Sequence, residues 1–209
     1  MLKELADLSV AARGRSNVYH LLAKLFLKEV SPELLAALRS KDVIESLNEL
    51  GSDFNTILSS KPQEILLDEL SQEYAALFIV PGGIPPYESV RLKDLLNQEP
   101  AWKTEEFYKR CGLIIKDNCK TFPDHLGMEL KFMAYLSDKE SSAWQDKDEK
   151  AAAEWGNLQK DFFSNHINKW VFGFLDDLDR FAFHPFYKEA AKLTKGFLET
   201  EREEFNINE

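Results

Sequence analysis

Along most of the chain, apolar residues recur at steps of three and four, the spacing that gathers them on one face of an α-helix. Over residues 5–28 the stripe is Leu8, Ala11, Val18, Leu21, Leu22, Leu25 and Phe26. Over 62–78 it is Leu66, Leu67, Leu70, Tyr74, Leu77 and Phe78. Ser31-Pro32 reads as the N-cap and first residue of a short second helix, and 42–50 as a third. A short segment follows near 89–96, then a break at Pro100 and a helix over about 104–111. Thr121-Phe122-Pro123-Asp124 starts a helix over about 123–138, with a first-turn proline and an acid where the helix dipole favours one. Two more are predicted over about 148–165 and 167–180, and a last one runs from His184-Pro185 to about Glu201. Leu126, Leu130, Met133 and Leu136 read as core, as does the stripe Trp155, Leu158, Phe162, Phe163, Trp170 and Phe174 that contains His166. Residues 97–102, 138–150 and the tail read as soft points. No run alternates as a strand would. The expected fold is all-α: a single-domain helical bundle over 1–209 with roughly eight to ten helices.

One stretch breaks the pattern, FIVPGGIPPYES at 78–89. Each proline of Pro85-Pro86 fixes its own φ and restricts the residue before it. Gly82 and Gly83 permit turns with positive φ. Leu77 and Phe78 lead in and Tyr87 leads out. The result is a stiff, apolar, aromatic-flanked ledge. It is either a crossover that packs two helices or the wall of a groove for an apolar peptide, with Asp124 or Glu88 ready for basic groups.

Composition narrows the function. The 209 residues are 44% hydrophobic and 12% aromatic, enough for a core, and carry a net charge of −10. Phosphate-led nucleic-acid binding needs a basic footprint, so it is disfavoured. No apolar run reaches the length of a membrane span, and Glu4 and Asp7 in a terminus without an apolar stretch argue against a signal peptide. Stable membrane insertion is not expected. A cytoplasmic chain with Cys111 and Cys119 as free thiols is expected.

Candidate chemistry is sparse. Gly82-Gly83 belongs to no phosphate loop, and no hydrolase serine motif occurs. The best constellation is Asp124-His125 with Glu129, because His125 and Glu129 stand four apart and would share a helix face. A metal-dependent enzyme using His125 and Glu129, with His166, is the catalytic alternative. The plainer reading is that Asp124 caps a helix start while His125 and Glu129 hydrogen-bond locally.

Two stretches together resemble a family. Glu73-Tyr74-x-x-Leu77-Phe78, with Pro81-Gly82 and Pro85-Pro86-Tyr87-Glu88-Ser89-Val90, is similar to the first signature of the TorD/DmsD/NarJ superfamily. Pro123-Asp124-His125-Leu126-x-x-Glu129-Leu130-x-Phe132-Met133 resembles its second. Val80 and Arg91 depart from the family's usual residues. The resemblance implies a non-enzymatic cytoplasmic chaperone without a cofactor of its own. Its partner would be the apo-form of a molybdopterin oxidoreductase, whose N-terminal twin-arginine signal peptide it binds, delaying export until cofactor insertion. A NarJ-like assembly chaperone of a non-exported nitrate reductase subunit is the alternative. The family also implies a monomer or a domain-swapped dimer. The peptide-binding positions carried over are Leu77, Phe78, Pro85, Pro86, Tyr87, Ser89, Asp124, His125 and Glu129, with Glu88 as a further carboxylate. Leu77, Phe78 and Tyr87 are expected to touch the apolar part of the peptide, and Asp124 and Glu88 its arginines.

Overall fold

The computed structural model describes residues 2–116 and 118–207. Among them the chain is helical, without a strand, and no helix is long and apolar enough to cross a membrane. The elements are α1 (Leu2–Leu27), α2 (Pro32–Leu38), α3 (Lys41–Glu49), α4 (Phe54–Ser59), α5 (Gln63–Phe78), α6 (Glu88–Lys93), α7 (Glu99–Arg110), α8 (Leu126–Gln145), α9 (Glu149–Phe162), a π-helical turn (Phe163–Ile167), α10 (Asn168–Phe181) and α11 (Pro185–Glu204). Backbone contacts group them into two compact units. One takes the chain up to Leu27 together with Tyr87–Val171 and Ile207, and the other takes Lys28–Pro86 together with Phe172–Asn206. Each unit is thus built from separate stretches of chain.

In the first unit α1 lies antiparallel on α8, and small residues set the distance. Ser9 Oγ donates to the Ser141 carbonyl at 3.1 Å, and Ser141 Oγ returns a bond to the Ser9 carbonyl at 2.9 Å. Seven residues on, Ser16 Oγ donates to the Ala134 carbonyl at 3.1 Å. Seven further, Gly127 faces Ala23 and Leu27. Each step of seven up α1 matches a step of seven down α8, so the contact keeps one register over four turns. The hydroxyls satisfy each other, which lets polar residues sit in a buried seam. In the second unit, Phe78 packs edge-on against Tyr74 and Tyr187, with centroids 5.0 and 5.8 Å apart. Tyr187 Oη donates to the Leu70 carbonyl at 3.2 Å, which ties α11 to α5.

The structure redraws several predicted boundaries. Pro100 is no break: it occupies the first turn of α7, where its missing N–H costs nothing. Pro123 and Asp124 lie outside the helix they were expected to start, because His125 is its N-cap. Most of 138–150 is ordered helix. Ser141 serves α1 and Glu140 serves α1 and α9, and only a turn through Lys147, at φ 62°, separates α8 from α9. A buried polar face carries no hydrophobic period, so it reads as loop. Residues 201–204 of the expected frayed tail continue α11, and Asn208 and Glu209 lie outside the described residues. Helix α4 escaped notice because it is six residues long; buried Phe54 and Leu58 and the Glu189 carboxylate on the Asp53 N–H (2.8 Å) hold it.

Two glycines test this account from opposite directions. A Cβ at Gly127 would press on the Leu27 side chain and stand 3.0 Å from the Ala23 carbonyl oxygen, whereas one at Gly156 in α9 meets nothing within 4 Å. Gly127→Ala is expected to lower stability by about 1–3 kcal/mol through overpacking. Gly156→Ala is expected to raise it by about 0.5–1 kcal/mol through helix propensity. Urea unfolding of both variants measures the pair; equal effects would sink the close-contact account of α1 and α8.

Candidate functional site

The 79–86 segment folds back on the last turn of α5. Val80 N–H still bonds the Ala75 carbonyl at 3.0 Å, and Ile84 N–H returns to the Leu77 carbonyl at 2.6 Å. Gly82 has φ 90°, which a side chain would strain. At Gly83 the reason is space: a Cβ would run into the Leu77 and Ala76 carbonyl oxygens. The two glycines therefore do different work in one reversal. The turned loop, with Glu73, Ala76 and Leu77 of α5, Phe181 at the end of α10 and Phe183 just beyond it, encloses a groove of about 230 Å³. Around it Phe183 is 91% exposed, Ile79 68% and Phe181 51%. Large aromatic and aliphatic side chains so exposed in one place form an interaction surface rather than a core. Glu73 Oε1 accepts from the Phe183 and His184 N–H groups at 2.6 and 3.2 Å, which fixes the 181–184 turn.

Leaving the loop, the chain meets the dipeptide Asp124-His125. Tyr87 and His125 form an isolated antiparallel bridge, and Glu88 N–H bonds the Asp124 carbonyl at 3.0 Å. Asp124 Oδ2 accepts from the Ser89 N–H at 2.8 Å, in the first turn of α6. His125 Nδ1 accepts from the Gly127 N–H at 3.0 Å, capping α8. Two consecutive side chains thus serve the starts of two helices. The Tyr87 ring stands edge-on to the His125 imidazole at 4.9 Å and to Phe122 at 6.1 Å. Burial holds the His125 pKa down at about 4, so at neutral pH the imidazole keeps Nδ1 free to accept.

Beneath lies a buried polar cluster. His166 Nδ1 is 2.9 Å from Glu88 Oε2, and Thr104 Oγ1 lies 3.2 Å from that oxygen and 3.0 Å from Nδ1. Trp170 Nε1 donates to Glu129 Oε2 at 3.2 Å. Phe162 stacks on His166 at 4.8 Å, and Phe107 stands edge-on at 6.0 Å, so the cluster has an aromatic wall. Burial, and then the nearby Glu88 and Asp124 charges, push the Glu129 carboxyl well above its usual range. Asp124 is raised too, chiefly by burial.

These positions correct the expected roles. Asp124 is 0% exposed and Glu88 2%, so neither carboxylate faces solvent where a peptide's arginine would meet it. Ser89, His125 and Glu129 are also buried. Phe78 is a core residue under the loop, and Tyr87 is committed to His125 and Phe122. Of the expected contacts, Leu77 lines the groove, while Pro85 and Pro86 carry the chain from it to the Tyr87 bridge. The expected metal pairing is replaced: His125 Nδ1 is taken by the Gly127 N–H, and Glu88 rather than His125 joins Glu129 and His166.

The family model for the nitrate reductase delta subunit matches residues 31–176. The chain belongs to this family, the TorD/DmsD/NarJ group of redox-enzyme maturation chaperones. It is 26% identical to the chaperone protein TorD of Vibrio cholerae over 94% of both chains. To the TorD of Shewanella pealeana it is 24% identical, over 96% of this chain and 93% of the relative. The crystal structure of a putative redox enzyme maturation protein from Archaeoglobus fulgidus shares the fold, with a TM-score of 0.59 at 18% identity over 88% of this chain and 93% of that one. Its relatives carry the names of chaperones and maturation proteins, and this family member is a chaperone rather than an enzyme.

Sequence reasoning missed Phe181 and Phe183, although an Arg-Phe-Ala-Phe-His-Pro run between two helices is itself a cue: aromatic residues in a short polar turn have no core to enter. It also missed histidine as a cap. His184 Nδ1 accepts from the Phe186 N–H at 3.1 Å at the start of α11, just as His125 serves α8.

The His125 cap carries a pH signature. Its folded pKa of about 4 lies below the unfolded 6.5. As pH falls from 6.5 towards 4, the unfolded chain takes up a proton that the folded chain refuses, so stability is lost, by about 3 kcal/mol in all. Asn is also a good N-cap but does not titrate. His125→Asn should therefore lose less stability than the parent over that range, by up to about 3 kcal/mol. The raised Asp124 and Glu129 act in the opposite sense and are common to both proteins. Urea midpoints at pH 7 and pH 4.5 measure the difference, and parallel losses would rule out the neutral cap.

Proposed function

We propose that this chaperone, acting as one domain over 1–209, binds the N-terminal twin-arginine signal peptide of a molybdopterin oxidoreductase. It holds the apoenzyme in the cytoplasm until its cofactor is inserted. The observation that carries the reading is the apolar groove at 77–84 and 181–183. Such a peptide joins two arginines to an apolar segment. The exposed Phe183, Phe181 and Ile79 offer it apolar area, and burial of one such side chain is worth about 1.5–3 kcal/mol. Glu73 on the groove wall supplies a carboxylate in the place expected of Asp124 and Glu88, and a net charge of −10 draws a basic peptide in from a distance. Pro85 and Pro86 then act by shaping the loop, while Tyr87, Ser89, Asp124 and His125 order the starts of α6 and α8.

Calorimetric titration with a synthetic twin-arginine peptide tests this. Phe183→Ser alters a side chain that is almost wholly in solvent, so the fold should be unaffected, and affinity should fall roughly 10–100-fold. Raising salt should weaken the arginine share of binding and leave the apolar share. Ile114→Ser, at a separate hollow of about 630 Å³ lined by Tyr108, Leu113, Met128 and Tyr135, should change nothing. Loss with Ile114→Ser alone would move the site to that hollow. A peptide with two lysines that binds as tightly would favour a NarJ-like client without the twin-arginine motif.

A further inference from the structure

We propose that Glu88, Glu129 and His166 form a binding site for one divalent metal ion of the zinc class, which staples α6, α8 and the π-helical turn together. The inference is independent of the peptide groove. Each of the three side chains is buried, and one ligand atom from each lies within 4.8 Å of the others. In a tetrahedral zinc site with N and O bonds of about 2.0–2.1 Å, ligand atoms stand about 3.3 Å apart, so small side-chain movements suffice. An imidazole with two carboxylates is a borderline donor set, which suits zinc better than calcium or magnesium. Two carboxylates and a neutral imidazole also balance the charge of a divalent ion. Thr104 Oγ1 touches both Glu88 Oε2 and His166 Nδ1 and so holds these two side chains together.

A second observation points to a cation. Glu129 Oε1, one of the proposed ligands, is buried without a protein donor. Stranded acceptors of this kind are rare, and each costs about 1–3 kcal/mol. Three carboxylates buried near one another repel, which is part of why the Glu129 carboxyl is raised; a metal ion removes that penalty. The backbone is also adapted here. The π-helical turn inserted between α9 and α10 carries His166, and such turns commonly mark functional positions in otherwise regular helices. Access runs through a pocket of about 590 Å³ in which His166 is a lining residue. Its rim mixes Lys103, Lys109, Arg110 and Lys169 with Glu106 and Asp161, so the field does not steer a cation and loading is slow.

The test uses the full chain, stripped with chelator and titrated with Zn²⁺. One arm equilibrates the folded protein; the other refolds it from urea with Zn²⁺ present, so slow access cannot pass for absence of a site. The expected result is one tightly held ion per chain, a higher thermal midpoint, and the visible absorption of a four-coordinate N/O site when Co²⁺ replaces Zn²⁺. Glu129→Gln keeps the shape but removes a ligand charge. It should weaken binding by more than the roughly 10–100-fold that loss of an outer partner costs, as should His166→Asn. His20→Ala, at a surface histidine beside Asp138, should bind as the parent does. If neither arm retains metal, or if Glu129→Gln and His166→Asn bind as tightly as the parent, the cluster is a proton-sharing carboxyl pair and the proposal fails.

Discussion

The starts of α6 and α8 depend on one clasp, in which Asp124 and His125 meet Tyr87, Glu88 and Ser89. Asp124 Oδ2 takes the Ser89 N–H of α6, and His125 Nδ1 takes the Gly127 N–H of α8. A helix start leaves backbone donors without partners, and here a single dipeptide answers two of them. The isolated bridge between Tyr87 and His125 adds the register. A shift of one residue on either side would exchange the Asp124 and His125 directions and leave both helix starts uncapped. The sequence distance between the two stretches explains why neither is conspicuous alone: each supplies half of a structure that needs the other.

The clasp has an energetic consequence below it. Bringing Glu88, Asp124 and Glu129 together in a dry interior raises Glu129 and Asp124 and leaves several acceptors without partners. Replacing such groups with apolar ones of similar volume is often neutral or stabilising. Folding alone gives no reason to keep three carboxylates, an imidazole, a threonine and an indole N–H in one place. The cluster therefore carries a task, while the aromatic wall of Phe107 and Phe162 makes the carboxylates' charge harder to bear by excluding water.

The regular helices were legible because their stripes face apolar neighbours: α1, α5 and α11 announce themselves by spacing. What escaped was structure held by polar pairs. The second half of α8 buries Ser137 and Ser141 against Gln159 and Ser9, and no hydrophobic period records that. At the candidate site the direction of the side chains was not legible. Asp124 and Glu88 looked like surface acids beside a ledge, since charged residues are mostly exposed unless paired. Their partners are backbone N–H groups and a histidine 78 residues away, which no local pattern shows. Phe181 and Phe183 are the reverse case, aromatic residues that stand in solvent and belong to no helical stripe.

These two reversals have one origin. A loop that presents apolar side chains to water has little hydrophobic driving force to hold it, so its shape must come from backbone geometry and polar anchors. Gly82 supplies the positive φ, Gly83 the close approach to Leu77, and Pro85-Pro86 the extended exit. The Ser89 and Phe183 N–H groups are then held by Asp124 and Glu73. Glu73 anchors the 181–184 turn through Oε1, so Phe181 and Phe183 can remain exposed. A groove organised in this way is ready before its partner arrives, and a preformed apolar surface binds a flexible peptide without having to order itself. Affinity then depends on how little the loop moves. In the proposed peptide-binding role, client discrimination falls to the exposed side chains that line the groove, Phe181 and Phe183.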